Sequence, residues 1–145
     1  MIKNEKQYRI TKAQVRRFQN ALDELAGQMR PSNISPRLWE AQRHAAQSQM
    51  KELQEQVDAY ERLQLGKSKE VVLEAVEDLP KALIRARIAS GMTQEGLALR
   101  LGLKAQQVQR YEATEYESAS FARIRKVVQA LGLRMPKATR LIRSG

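Results

Sequence analysis

Two positions four residues apart constrain the fold of this chain more than any others: Ala98 and Gly102. They lie within TQEGLALRLGLKAQQVQRYE, residues 93–112, where two segments with helical apolar spacing are joined at the glycine. Two short helices that cross steeply need a small side chain where their backbones meet, and Ala98 supplies it. The chain must then leave the first helix in a left-handed conformation, which glycine tolerates best. The pattern predicts a corner of two short helices.

Helical segments are predicted before, within and after this corner. We expect one helix after Pro80 that ends by Gly91, one from Gln94 capped by Thr93, and one over residues 104–113. A last helix would begin after Ser118 or Ser120 and end at Gly132. The side chains predicted to face inward share an apolar character and helical spacing: Leu83, Ile84, Ile88, Leu97, Ala98, Leu101, Leu103, Val108, Tyr111, Phe121, Ile124, Val127, Val128 and Leu131.

The first 66 residues predict an antiparallel helical hairpin. Its first helix starts from one of two capping boxes, Asn4 with Gln7 or Thr11 with Gln14, and ends near Gly27. Its second helix runs from Pro36, capped by Ser35, to about residue 65. The apolar stripes step by three and four: Val15, Phe18, Leu22, Leu25 and Met29 in the first, and Ala46, Met50, Leu53, Val57 and Tyr60 in the second.

The use of this hairpin stays open at the level of sequence. Residues 1–66 form a dimerisation or partner-binding unit if the seam is shared with a second copy or another protein. Alternatively, the two stripes pack on each other and on the C-terminal part. Residues 67–78 are a linker that holds either a short strand or one helical turn.

Composition and charge exclude several classes of function. The chain has no Cys and one His, His44, so we expect no disulfide and no metal site. It has no Gly-rich phosphate loop and no nucleophile motif, so we expect no enzyme and no cofactor. No apolar run spans a membrane and no signal peptide is visible, which favours a cytoplasmic protein. Residues 79–145 carry a net charge of +9 of the total +10, which favours a polyanionic partner.

The residues 83–133, with the motif MTQ…LA…LGL…VQRYE, resemble the Cro/cI-type helix-turn-helix family, also called the XRE family. The resemblance implies an all-α protein in which residues 79–133 form a five-helix lambda-repressor-like DNA-binding domain. Residues 134–145 would then be a basic tail. Two features depart from the family pattern: Gly96 lies inside a helix, at a cost of about 1 kcal/mol in propensity, and residues 113–120 replace a shorter loop.

The helix over residues 104–113 offers candidate base contacts. With Val108 and Tyr111 on the buried side, Gln106, Gln109 and Arg110 point outward, and Gln107 flanks them. A Gln amide can pair with adenine in the major groove, and an Arg fork can pair with guanine.

The remaining site residues have other expected roles. By resemblance, Gln94 binds a phosphate at the start of its helix, and Lys104 at the turn can do the same. Also by resemblance, Arg87 and Glu112 form a structural ion pair.

These features predict a sequence-specific regulator of transcription that binds a double-stranded DNA operator as a homodimer and represses it. The alternative is an antitoxin similar to the HigA type, which would bind a toxin protein through residues 1–66 and repress the shared operon. The two hypotheses share DNA binding and differ in what the hairpin contacts.

Overall fold

The computed structural model describes residues 1–66 and 70–135, and the regular structure in these residues is all helical. The chain divides into two compact units, Met1–Lys67 and Ser68–Gly145. The six α-helices are α1 (Glu5–Gly27), α2 (Pro36–Gln64), α3 (Leu79–Ala89), α4 (Gln94–Leu101), α5 (Ala105–Ala113) and α6 (Phe121–Ala130). The predicted all-α class is confirmed.

In the first unit, α1 and α2 pack against each other as an antiparallel hairpin. Of the two candidate capping boxes, the first one starts α1. The Asn4 side chain accepts from the backbone N–H of Gln7, and Gln7 Oε1 accepts from the N–H of Lys3. At the start of α2, the hydroxyl of Ser35 accepts from the N–H of Leu38 in the same way.

A polar cluster joins the N-terminal end of α1 to the C-terminal end of α2. The Tyr8 hydroxyl donates to Glu61 Oε1 at 2.6 Å and accepts from Lys12 Nζ, which also donates to Glu61 at 3.0 Å. The hydrogen bond from Tyr8 lowers the pKa of the Glu61 carboxyl, with a smaller contribution from Lys12. The Tyr8 ring stacks on Tyr60 at 5.2 Å between centroids. These contacts set the register of the hairpin.

The rest of the hairpin seam is only half covered. No residue of α1 is buried, and in α2 only Val57 and Tyr60 are. Phe18, Leu22 and Trp39 keep part of their surface exposed, and Met29 is almost fully exposed. Two helices alone therefore do not bury their apolar stripes.

The second unit begins with a 3₁₀ turn over Val76–Asp78, so the expected turn in the linker is the helical one rather than a strand. Residues 67–69 and 136–145 lie outside the described residues, and so does most of the predicted basic tail. Up to residue 135, where the description ends, four α-helices follow the turn, against the five that the family resemblance implies for the domain. Its core contains Leu83, Ile84, Ile88, Leu97, Ala98, Val108 and Val127, each at most 3% exposed.

One predicted core residue is wrong. Phe121 was expected to face inward, but its side chain is 73% exposed. It is the first residue of α6, directly after the cap Ser120, whose hydroxyl accepts from the N–H of Arg123. The first turn of the helix projects away from the core that Val127 reaches one and a half turns later.

Candidate nucleic-acid interface

The corner between α4 and α5 is built from local signals. The Thr93 hydroxyl accepts the N–H of Gly96 at 3.0 Å and starts α4. Gly102 ends it with φ +65°, and the N–H of Leu103 donates to the carbonyl of Ala98 at 2.8 Å. This 6→1 hydrogen bond is typical of the Schellman motif, which requires a residue in the left-handed conformation after the helix, and glycine adopts that conformation without steric strain. Ala98 is 2% exposed, as expected for the small residue at a close contact.

Helix α5 is anchored on one side and exposed on the other. Val108 and Glu112 are buried, and Tyr111 is half-buried. The side chains of Gln106, Gln107, Gln109 and Arg110 are all exposed. Residues three to four apart lie on the same face of a helix, so Gln106, Gln109 and Arg110 form one polar surface opposite the buried one.

A buried ionic cluster holds α3, α4 and α5 together. Arg87 of α3 donates through Nε to Glu112 Oε1 at 2.5 Å and through Nη2 to Oε2 at 2.7 Å. Its Nη1 donates to the carbonyl of Met92 at 2.7 Å. The side chains of Arg87 and Glu112 are only 3% and 0% exposed, so the pair is inside the domain and its guanidinium is not available to DNA.

Gln94 belongs to the same cluster. Its amide nitrogen donates to Glu112 Oε2 at 2.8 Å, and the residue is buried. Three donors therefore converge on one carboxylate, two from Arg87 and one from Gln94. The phosphate contact of Gln94 stays a prediction, and the amide nitrogen that could make it here binds Glu112. No sequence signal marks this contact, because residues 94 and 112 lie on different helices.

The start of α5 carries the remaining predicted residues. Lys104 is the N-cap, and its side chain is exposed. Its backbone N–H donates to Gln107 Oε1 at 3.1 Å, which holds the Gln107 side chain over the first turn. Gln107 therefore has a capping contact that Gln106, Gln109 and Arg110 do not share, and the phosphate contact of Lys104 stays a prediction.

The C-terminal end of α5 has a feature that the sequence did not indicate. Glu115 and Tyr116 have φ values of +49° and +62°, and the N–H of Tyr116 donates to the carbonyl of Tyr111. The Tyr116 ring is buried and lies nearly parallel to that of Tyr111 at 6.0 Å. Burial, and secondly the charge of Glu112, raises the pKa of the Tyr116 hydroxyl. Two consecutive residues other than glycine in the left-handed conformation are strained, and this packing of the Tyr116 ring stabilises them.

The helix-turn-helix family model matches residues 83–137. The match identifies an XRE-type helix-turn-helix domain in this part of the chain. A domain of this type is characteristic of DNA-binding transcription regulators, and this chain is one in that general sense. No curated protein and no solved structure matches the chain. In residues 1–66 and 70–135, no helix combines the length and apolarity needed to span a membrane.

Proposed function

We propose that this protein is a sequence-specific repressor that binds an operator in double-stranded DNA as a homodimer. The observation that carries the proposal is the polar face of α5. Gln106, Gln109 and Arg110 are exposed together on a helix whose opposite side is fixed by Val108 and the buried Glu112. Side chains that read bases need such a rigid support, because each pairing depends on geometry. Gln107 is the next candidate for a base contact.

Two contacts to the DNA backbone complete the proposed interface. Gln94 lies at the N-terminus of α4, where the helix dipole favours an anion, and its contact requires that the buried amide reach a phosphate besides Glu112. Lys104 is the exposed cap of α5. These contacts orient the domain and carry no sequence information. Their loss is expected to weaken binding to all duplexes by a similar factor.

The test starts from duplexes selected from a random pool by the full chain. For Arg110→Ala, fluorescence anisotropy with the selected duplex should show a loss of about 1–3 kcal/mol in binding free energy. The loss should concentrate at one base position. The matched control is Arg85→Ala, which removes another exposed arginine of the domain. A wild-type chain that binds selected and scrambled duplexes equally at physiological salt would refute the sequence-specific function.

The homodimer rests on the half-covered hairpin. Since α1 has no buried residue, a second hairpin would cover the stripes of the first. Two-fold pairing predicts operator half-sites about one helical turn, 34–36 Å, apart. Light scattering on the full chain at micromolar concentration would give the mass of a dimer, and a monomer there would refute it.

The second candidate function is an antitoxin whose hairpin binds a toxin while the helix-turn-helix domain represses their operon. The same half-covered stripes, with Phe18, Leu22 and Trp39 partly exposed, favour a protein partner. A small basic ribonuclease-like reading frame beside this one, whose product copurifies with the chain, would support it. A homodimer that copurifies with no such product favours the repressor.

A further inference from the structure

The charged residues of α1 are distributed differently from those of α2, the other helix of the hairpin. Residues 6–22 contain five basic residues and no acidic one, and the three acidic residues of α1, Glu5, Asp23 and Glu24, lie at its two ends. In α2, four basic and five acidic residues occur together over 29 residues. The surface of α2 is thus a mixed, solvated face, whereas the middle of α1 is uniformly positive.

Four of the five basic side chains lie on one face, which we call the α1 basic face: Lys6, Arg9, Arg16 and Arg17. At 100° per residue they fall within about 100° of one another. They lie on the side of α1 opposite Phe18 and Leu22, which are part of the stripe against α2. All four are exposed.

None of these four side chains forms an ion pair within the described part of the chain. Each of the three ion pairs there involves other residues, and Lys12, the fifth basic residue, is the one that pairs with Glu61. Exposed arginines on a helix are commonly accompanied by acids three or four positions away. Of the four, only Arg9 has such an acid, Glu5, and the two form no ion pair, so the basic side chains repel one another along the helix unless an external anion neutralises them.

The shape of the face selects the kind of anion. Residues 6 to 17 extend over about 17 Å at 1.5 Å per residue, and a duplex of that length carries about ten phosphates. Between Lys6 and Arg17 the one other residue on this face is Ala13, and Asn20 follows Arg17 on the same side, so the apolar centre typical of a protein interface is lacking. The apolar stripe of α1 lies on the side opposite the α1 basic face and is turned towards α2, so the basic face itself has no large apolar side chain to insert into a membrane.

We propose that the α1 basic face is a second phosphate-binding surface, which contacts the backbone of duplex DNA in addition to the helix-turn-helix domain. The inference rests on the DNA-binding function of the chain and adds a role for a unit outside the matched domain. Backbone contacts from α1 raise the affinity for any sequence, while α5 supplies discrimination. The hairpin then increases the affinity of the chain for DNA, in addition to any role in dimerisation.

The test compares two full-length variants with the same charge change. The first is Lys6→Gln, Arg9→Gln, Arg16→Gln and Arg17→Gln together. The matched control replaces one Lys and three Arg on α2, all exposed: Arg37→Gln, Arg43→Gln, Lys51→Gln and Arg62→Gln. Glutamine is a good helix former, and circular dichroism checks that both variants keep the helix content of the wild type.

Binding is measured by anisotropy with a labelled scrambled 40-base-pair duplex between about 50 and 200 mM NaCl. Each lost phosphate contact lowers the slope of log K against log salt by about 0.9. We expect the α1 variant to lower the slope by about 2–4 and to bind about tenfold or more weakly at 100 mM salt. The α2 variant should stay close to the wild type.

Three results would overturn the proposal. Equal weakening in both variants would show an effect of net charge alone. No change in the α1 variant would show a solvated face. Wild-type binding to phosphatidylserine vesicles that the α1 substitutions abolish, with DNA binding intact, would assign the face to a membrane. Because the probe is a scrambled duplex, these outcomes remain readable even if the chain proves to have no sequence preference.

Discussion

Substitution of Glu112 tests how far its buried carboxylate stabilises the helix-turn-helix domain. It accepts three hydrogen bonds at 2.5, 2.7 and 2.8 Å, from Arg87 Nε, Arg87 Nη2 and Gln94 Nε2, and it is fully buried. Glu112→Gln preserves the volume and replaces one acceptor oxygen by an NH₂ group. In either orientation of the amide, at least one buried donor then meets another donor.

The expected cost follows from these contacts. One buried donor without a partner costs about 1–3 kcal/mol. The guanidinium of Arg87, 3% exposed, also loses its counter-charge. Removing one member of a buried ion pair costs about 3–5 kcal/mol in total. A domain of this size has a free energy of unfolding of only about 3–10 kcal/mol, so the substitution is expected to remove a large part of it.

The assay is urea unfolding followed by circular dichroism, with hydrogen exchange on peptides from residues 79–130 to assign the loss to the domain. The matched control is Glu117→Gln, an exposed glutamate whose substitution should change the free energy of unfolding by less than about 0.5 kcal/mol. The triple variant Arg87→Met, Gln94→Met and Glu112→Leu removes the three polar side chains together and leaves only the part-buried carbonyl of Met92 without its donor from Arg87. It should be more stable than Glu112→Gln, because no donor is stranded. A loss in Glu112→Gln no larger than that of the control would refute the reasoning.

Three further substitutions test other parts of the fold by urea unfolding. Gly102→Ala should cost about 1–2 kcal/mol, because φ is +65° and an added Cβ would meet no atom within 4 Å, so the cost is purely that of the backbone. Gly27→Ala, equally unobstructed and without a positive φ, should cost nothing, and equal costs would contradict this account. Gly96→Ala should stabilise the chain by up to about 1 kcal/mol through helix propensity. The atom nearest to the added Cβ, at 3.3 Å, belongs to the flexible side chain of Met92. A loss instead would mean that Met92 cannot move aside. Tyr116→Phe should reduce the loss of stability at alkaline pH. In the wild type the pKa of Tyr116 is raised in the folded state, so the free energy of unfolding is unaffected by this hydroxyl below about pH 10 and falls above it by up to about 1.4 kcal/mol per pH unit. Identical pH profiles of the two proteins from pH 9 to 11 would contradict the assignment.

Much of the fold could be predicted because the signals for helix ends are local. Ser35 with Pro36, Thr93 and Gly102 begin or end helices where the sequence placed them. Each depends on a side chain or a φ value within four residues of the helix end. The exposed polar face of α5 was also predictable, because a helix with a known buried side has a defined opposite side.

The tertiary structure decided the features that depend on residues far apart in the chain. Asn4, rather than Thr11, starts α1, and the earlier start places Tyr8 in contact with Glu61, 53 positions away. Gln94 is buried because Glu112, 18 positions away, accepts its amide. The spacing of Phe121 fits an apolar stripe, yet its side chain is exposed because no element among the described residues covers the first turn of α6. Periodicity identifies the face of a helix, whereas only packing determines how much of that face is covered.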